Sequence, residues 1–181
     1  MTAPHRIRPS IALAAVPIAA LLCLAAPEPA RAGFGYTYLE GGYGYVDPDV
    51  GDGDGGPYAD LSARVRRRLH LFSGYRKIGA ADGFVIGVGG HVPVDAALHL
   101  VGRVGWADLD GDDGLRLEGG FRLRAGAEID GGVFVSDLEA GSEEGVYLGA
   151  VAAIHGPLAL TGRLRVSDRY TDATFGLRFY F

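Results

Sequence analysis

Three histidines, His70, His91 and His99, are the side chains of this sequence with the most evident capacity for chemistry. Imidazole nitrogen suits zinc and copper, and three clustered imidazoles leave a fourth position open. No carboxylate is evidently placed to orient these rings, and glycines dominate around them, so polar filling of an interior is the competing account. A second group is acidic: Asp47, Asp49, Asp52 and Asp54 in one glycine-rich stretch, Asp108, Asp110, Asp112 and Asp113 in another. Oxygen ligands at that density suit hard cations such as calcium. Neither stretch has the glycine at position six or the glutamate at position twelve of an EF-hand loop, and solvated turns explain both. Nucleophilic catalysis finds little support. Ser136, Ser142 and Ser167 have no histidine within reach on their own side of the expected fold, and the one cysteine, Cys23, lies in an N-terminal leader.

That leader sets the first boundary. Arg6 and Arg8, the apolar run from Ile11 to Ala26, and Ala30-Arg31-Ala32 follow the order of a secretory signal, with cleavage expected after Ala32. Residues 1–32 are then the signal and 33–181 the mature domain. The apolar run is short for a spanning helix, and no later stretch approaches the roughly 20 continuous apolar residues such a helix needs. Its removal takes away three arginines and one glutamate, two net positive charges, so the net charge moves from −5 to −7. An acidic mature chain argues against a nucleic-acid partner. With 30 glycines and 48% apolar residues, the composition points to one turn-rich all-β domain.

What positions the charged residues is an alternation of period two, which sends successive side chains to opposite faces of a strand. Ala173, Phe175, Leu177, Phe179 and Phe181 alternate with Thr174, Gly176, Arg178 and Tyr180; Leu115, Leu117, Gly119, Phe121 and Leu123 alternate with Arg116, Glu118, Gly120, Arg122 and Arg124. Leu158, Leu160, Gly162, Leu164 and Val166 repeat the rule against Ala159, Thr161, Arg163 and Arg165. Ten candidate strands follow, at 34–46, 58–66, 69–77, 83–92, 97–107, 114–124, 128–137, 145–154, 158–166 and 173–181. Their lengths fit tilted membrane-crossing strands of about 9–11 residues. The connections 47–57, 78–82, 108–113, 138–145 and 167–172 are acidic and glycine-rich. They alternate with tighter turns near Arg67-Arg68, 93–96, 125–127 and 155–157, the long-loop and short-turn asymmetry of outer-membrane barrels. An even strand count puts both termini on the short-turn, periplasmic side. A soluble β-sandwich or lipocalin-like barrel also alternates. The leader, the tall aromatic-rich apolar faces and opposite faces rich in glycine and arginine favour the membrane.

Three stretches carry a narrower likeness: Tyr36-Thr37-Tyr38-Leu39-Glu40-Gly41-Gly42-Tyr43, His70-Leu71-Phe72-Ser73-Gly74-Tyr75 and the closing Phe179-Tyr180-Phe181. On these the mature chain resembles the small outer-membrane barrel superfamily that includes the OmpA transmembrane domain and OmpX, and small proteobacterial surface barrels. The resemblance implies an antiparallel up-and-down barrel, with eight strands in OmpA and OmpX where this sequence reads as ten. It also implies that the barrel-assembly machinery reads Phe175, Leu177, Phe179 and Phe181.

Inside a small barrel, unpaired charges are costly, so they should pair. Counted from the tight turns, Arg122 can oppose Asp130, Arg124 can oppose Glu128, and Asp60 can oppose Arg76; counted from the first loop, Glu40 can oppose Arg64. His70, His91 and His99 fall on the inward face near the short turns. Trp106, Tyr43 and Tyr45 are expected in one interfacial aromatic girdle, and Phe34, Phe179 and Phe181 in the other. The function expected is a structural or surface-interaction role in the envelope, with a narrow ion or small-solute channel as the alternative, a barrel enzyme third, and no cofactor. Outer-membrane lipid and lipopolysaccharide are the expected partners, with divalent cations bridging the acidic loops to anionic head groups.

Overall fold

A computed structural model describes residues 34–49 and 52–181. The expected leader and its cleavage point lie outside the described residues. The alternating segments form ten strands: β1 (Tyr38–Pro48), β2 (Asp54–Arg66), β3 (Leu69–Ile78), β4 (Ala81–Pro93), β5 (Leu98–Leu109), β6 (Asp112–Ala125), β7 (Ala127–Leu138), β8 (Gly141–His155), β9 (Leu158–Ser167) and β10 (Tyr170–Tyr180). Each pairs antiparallel with its chain neighbours. The β1 to β10 ladder, running from Tyr38 opposite Tyr180 to Pro48 opposite Tyr170, closes the sheet into an up-and-down barrel. Closure leaves no strand edge unpaired, the condition for a sheet to cross hydrocarbon. Among the described residues no helix is long and apolar enough to cross a membrane.

The burial pattern is inverted relative to a water-soluble protein. Leu71, Val104, Leu117, Val133, Leu148 and Leu177 stand exposed on the outer wall, whereas Glu40, His70, Arg122, Glu143, Asp172 and Arg178 are buried within. A continuous apolar belt of this kind is stable when covered by lipid.

The expected asymmetry of connections is absent. The strands run further than the sequence pattern indicated, so the connections at the far end shrink to residues 79–80, 110–111, 139–140 and 168–169, as tight as those at the end carrying both termini. Turn chemistry accounts for this. Asp110 and Gly111 both take positive φ, 55° and 86°, the conformation that matches the twist of a two-residue hairpin, and Gly79 and Gly141 supply positive φ in two others. At the far end only the β1–β2 connection is longer. Two aspartates of the acidic stretches cap turns: Asp108 Oδ1 accepts the Gly111 N–H at 3.1 Å, and Asp112 Oδ1 accepts the Ala140 N–H on the next hairpin at 2.7 Å.

Inward glycines are seats for inward aromatics. A Cβ on Gly42 or Gly176 would collide with the backbone across the β1–β10 seam and with the Tyr58 ring, and one on Gly87 or Gly105 would meet Phe72. Gly176→Val is therefore expected to cost about 1–3 kcal/mol through overpacking, read as a lower urea midpoint of the folded barrel.

Candidate functional site in the barrel lumen

The lumen is organised in tiers from the far end downward. At the far end lies a cavity of about 210 Å³, whose wall includes Arg76, Arg103, Arg116, Arg163 and Arg165 together with Asp60, Glu118, Glu143 and Tyr170. Carboxylates here are shared. Glu118 accepts Arg116 Nε at 3.0 Å and Arg103 Nη1 at 3.4 Å, and Asp172 pairs with Arg76 and, at 3.8 Å, with Arg165. Phe134 and Phe72 lie beneath the Arg116 and Arg103 guanidiniums, at 4.5 and 5.5 Å from ring centre to Cζ.

A second, smaller void of about 10 Å³ is bounded by Tyr38, Arg122, Asp130, Tyr147, Arg163 and Arg178 among others. Arg163 Nη2 donates to Asp130 at 3.2 Å. Arg178 donates to Glu40 Oε2 through Nε at 2.7 Å, with Nη2 at 2.6 Å from the same oxygen, and Tyr58 Oη donates to Glu40 Oε1 at 2.9 Å. The Tyr38 ring lies 4.0 Å from the Arg178 guanidinium. Charge-assisted bonds of this length between buried groups hold their side chains in one geometry.

The terminal end is stopped by the chain's own N-terminal segment. Residues 34–37 form no strand but turn into the lumen, where Tyr36 stacks on His91 at 3.8 Å with an interplanar angle of 4°. Tyr36 Oη lies 3.0 Å from His99 Nδ1, Ser62 Oγ donates to the Tyr36 carbonyl at 2.8 Å, and Arg122 Nη1 donates to the Gly35 carbonyl at 3.2 Å. Phe34 packs on His99 at 4.4 Å. Phe34 is therefore an inward plug residue and not part of the lower aromatic girdle. Phe179 and Phe181 do meet on that side, edge to face at 5.3 Å. Tyr43, Tyr45 and Trp106 stand exposed toward the far end.

His70, His91 and His99 come together at the terminal end, but with Tyr36 among them. His91 and His99 are parallel stacked rings 5.3 Å apart, and His70 lies 6.4 Å from His91. Among the described residues no group of three or more His, Cys, Asp or Glu side chains is arranged to hold a metal ion. The Tyr36 ring lies among all three, its centre 5.2 Å from that of His70, 3.8 Å from that of His91 and 6.0 Å from that of His99.

The anticipated charge pairs are partly exchanged. Arg122 and Asp130 are register neighbours, as are Arg124 and Glu128. Arg124 reaches Glu128 at 2.9 Å, but Arg122 also turns to Glu128, at 2.5 Å, and Asp130 takes Arg163 from β9. Asp60 opposes Gly74, two residues from the position opposite Arg76, so Arg76 crosses the lumen to Asp172. Glu40 opposes Arg178 across the closing seam and pairs there, while Arg64 lies exposed opposite His70. The sequence reading assigned no partners to Arg103, Arg163, Arg165, Arg178, Glu118, Glu143 or Asp172. Their inward parity was the available signal. Ser136 is buried beside Arg116 Nη1, at 3.5 Å, at the end opposite the histidine cluster.

No protein-family model matches the chain, and neither does any curated protein. Among solved structures it is similar to a KdgM porin, with a TM-score of 0.54 at 8% identity over 80% of this chain and 99% of that one. A KdgM porin in complex with disordered oligogalacturonate gives a TM-score of 0.52 at 9% identity over the same shares. Ail, the attachment invasion locus protein of Yersinia pestis, matches at a TM-score of 0.39 and 11% identity, covering 81% of this chain and 99% of that one. Closed antiparallel topology, an apolar outer wall, a charged interior and the KdgM likeness agree: this chain has the fold of a small outer-membrane β-barrel, built here from ten strands.

Proposed function

We propose that the protein is exported through a cleaved signal peptide, inserts into the outer membrane with its termini in the periplasm, and serves there as a closed, non-enzymatic barrel with a structural or surface-interaction role. The observation that carries this reading is the lumen. Buried ion pairs, Arg178–Glu40 among them, fill its middle, and Tyr36 and Phe34 pack into its terminal end, which is what supports a closed barrel. Ten strands enclose little more space than side chains can fill. Kinship with the OmpA and OmpX barrels belongs to the same proposal, resting on size, topology and the aromatic ending at Phe175, Leu177, Phe179 and Phe181, which the assembly machinery reads. The outer leaflet's lipopolysaccharide meets the acidic far end, where divalent cations bridge the like charges.

Planar-bilayer recording tests the closed reading. The wild-type barrel is expected to give rare or negligible currents, and Phe34→Ala/Tyr36→Ala, which empties the plug, is expected to raise their frequency. A steady ohmic conductance from the wild type would overturn the closed barrel.

One observation favours a second reading, a narrow path or cup for small anions. Four guanidiniums of the upper tier share two carboxylates, and Arg103 Nε and Arg116 Nη2 are buried without a hydrogen-bond partner. Under that reading currents would be salt-dependent steps that Arg165→Ala reduces, since Arg165 faces the cavity without a hydrogen bond to its carboxylate.

A further inference from the structure

Charge is divided between the two ends of the barrel. The far end carries Asp47, Asp52, Asp82, Asp110, Asp137 and Glu139 among other carboxylates, with only Lys77 and Arg169 as cations among the described residues of the hairpin tips. At the terminal end the β2–β3 turn presents Arg66, Arg67 and Arg68 in succession, all exposed. No ion pair joins these three side chains to a carboxylate among the described residues. Carboxylates on neighbouring turns are engaged elsewhere: Asp95 Oδ1 accepts the Ala97 and Leu98 N–H groups at 2.7 and 2.8 Å, and Glu128 holds Arg122 and Arg124.

The position of the run matters as much as its charge. Val65 and Leu69 bracket it and are 54% and 42% exposed, and on the adjoining β4 end Val92 and Val94 are also exposed. The chain thus leaves the apolar belt, passes through three guanidiniums and re-enters the belt. That puts the arginines at the level where hydrocarbon gives way to head groups. A guanidinium fork matches phosphate oxygens in a bidentate manner and is weakly hydrated enough to stay paired there.

We propose that the Arg66-Arg67-Arg68 turn binds the phosphate of anionic phospholipid head groups in the leaflet at the terminal end. The proposal rests on the membrane-spanning reading above and goes beyond it. It assigns the turn a ligand class and gives the barrel a basic anchor facing phospholipid, opposite its acidic rim. Near an anionic surface each basic residue contributes about a fivefold preference.

The test uses the refolded barrel in phosphatidylcholine bilayers, with electron spin resonance of spin-labelled phosphatidylglycerol and phosphatidylcholine reporting the motionally restricted lipid at the protein. The expected result is a preference for phosphatidylglycerol of at least about fivefold that salt weakens. In R66Q/R67Q/R68Q the two lipids should associate equally. Heat-modifiable gel mobility is measured on every sample. Its absence in the wild type would indict the barrel reading, whereas a shifted band with equal association of both lipids would overturn the lipid site alone. Three further results would also overturn it: a preference unchanged in the triple variant, a preference abolished by inorganic phosphate at matched ionic strength, or retention of wild type but not variant on cell-wall sacculi without any lipid preference.

Discussion

Glu40→Ala is expected to destabilise the barrel by about 3–5 kcal/mol, the cost of stripping one partner from a buried ion pair. Arg178, 4% exposed, would keep its charge under the Tyr38 ring without its hydrogen-bonded carboxylate. Tyr58 would lose its acceptor at 2.9 Å and keep only the longer 3.4 Å contact with Thr161 Oγ1. Because Glu40 and Arg178 face each other across the β1–β10 ladder, the damage falls on the seam that closes the barrel. The reading is a shift in the urea midpoint of the heat-modifiable species at unchanged slope. Glu40→Leu combined with Arg178→Met removes both charges and should lose much less than either single change. A double variant as unstable as Glu40→Ala would show that packing around Tyr58, and not charge, holds the tier.

The second large effect lies on the outer wall. Leu117→Arg should cost roughly 2–4 kcal/mol if the position meets the bilayer midplane, and Leu177→Arg a similar amount. Both leucines are 48% exposed. Leu117 stands between Val104 of β5 and Val135 of β7 in the hydrogen-bonded ladder, so its side chain has apolar neighbours on both sides and lipid in front. Leu109→Arg, at the far tip of β5, serves as the depth control and should cost about 0–1 kcal/mol. Refolding into phospholipid vesicles at a series of urea concentrations gives the three values. Equal and small losses at Leu117 and Leu109 would mean that water, not lipid, covers this wall.

Architecture was legible in the sequence because strand parity is local information. Leu115 through Arg124 and Ala173 through Phe181 declare two faces without reference to any other part of the chain, and the ten segments read this way correspond to the ten strands observed. The ends of those strands were less legible. Acidic, glycine-rich stretches such as 108–113 read as loops, but Asp-Gly is also the pair that makes the tightest hairpin, and Asp110-Gly111 made one.

Partner choice inside the lumen was decided only when the sheet closed. Sequence offers each inward charge its neighbours across one turn, which is how Arg124 and Glu128 can be matched by counting. Glu40 and Arg178 meet only because the first and last strands pair, and Arg76 finds Asp172 across the interior at a distance no hairpin count can supply. The sequence by itself therefore determined the strand number, which face meets lipid and which is charged, since alternation and composition act residue by residue. The tertiary structure alone decided that Tyr36 and Phe34 fill the terminal end among His70, His91 and His99, and that the ion pairs run across the barrel as well as along it. These outcomes depend on closure and register, which bring residues far apart in the chain into one confined, poorly hydrated space where each charge takes the nearest partner in three dimensions.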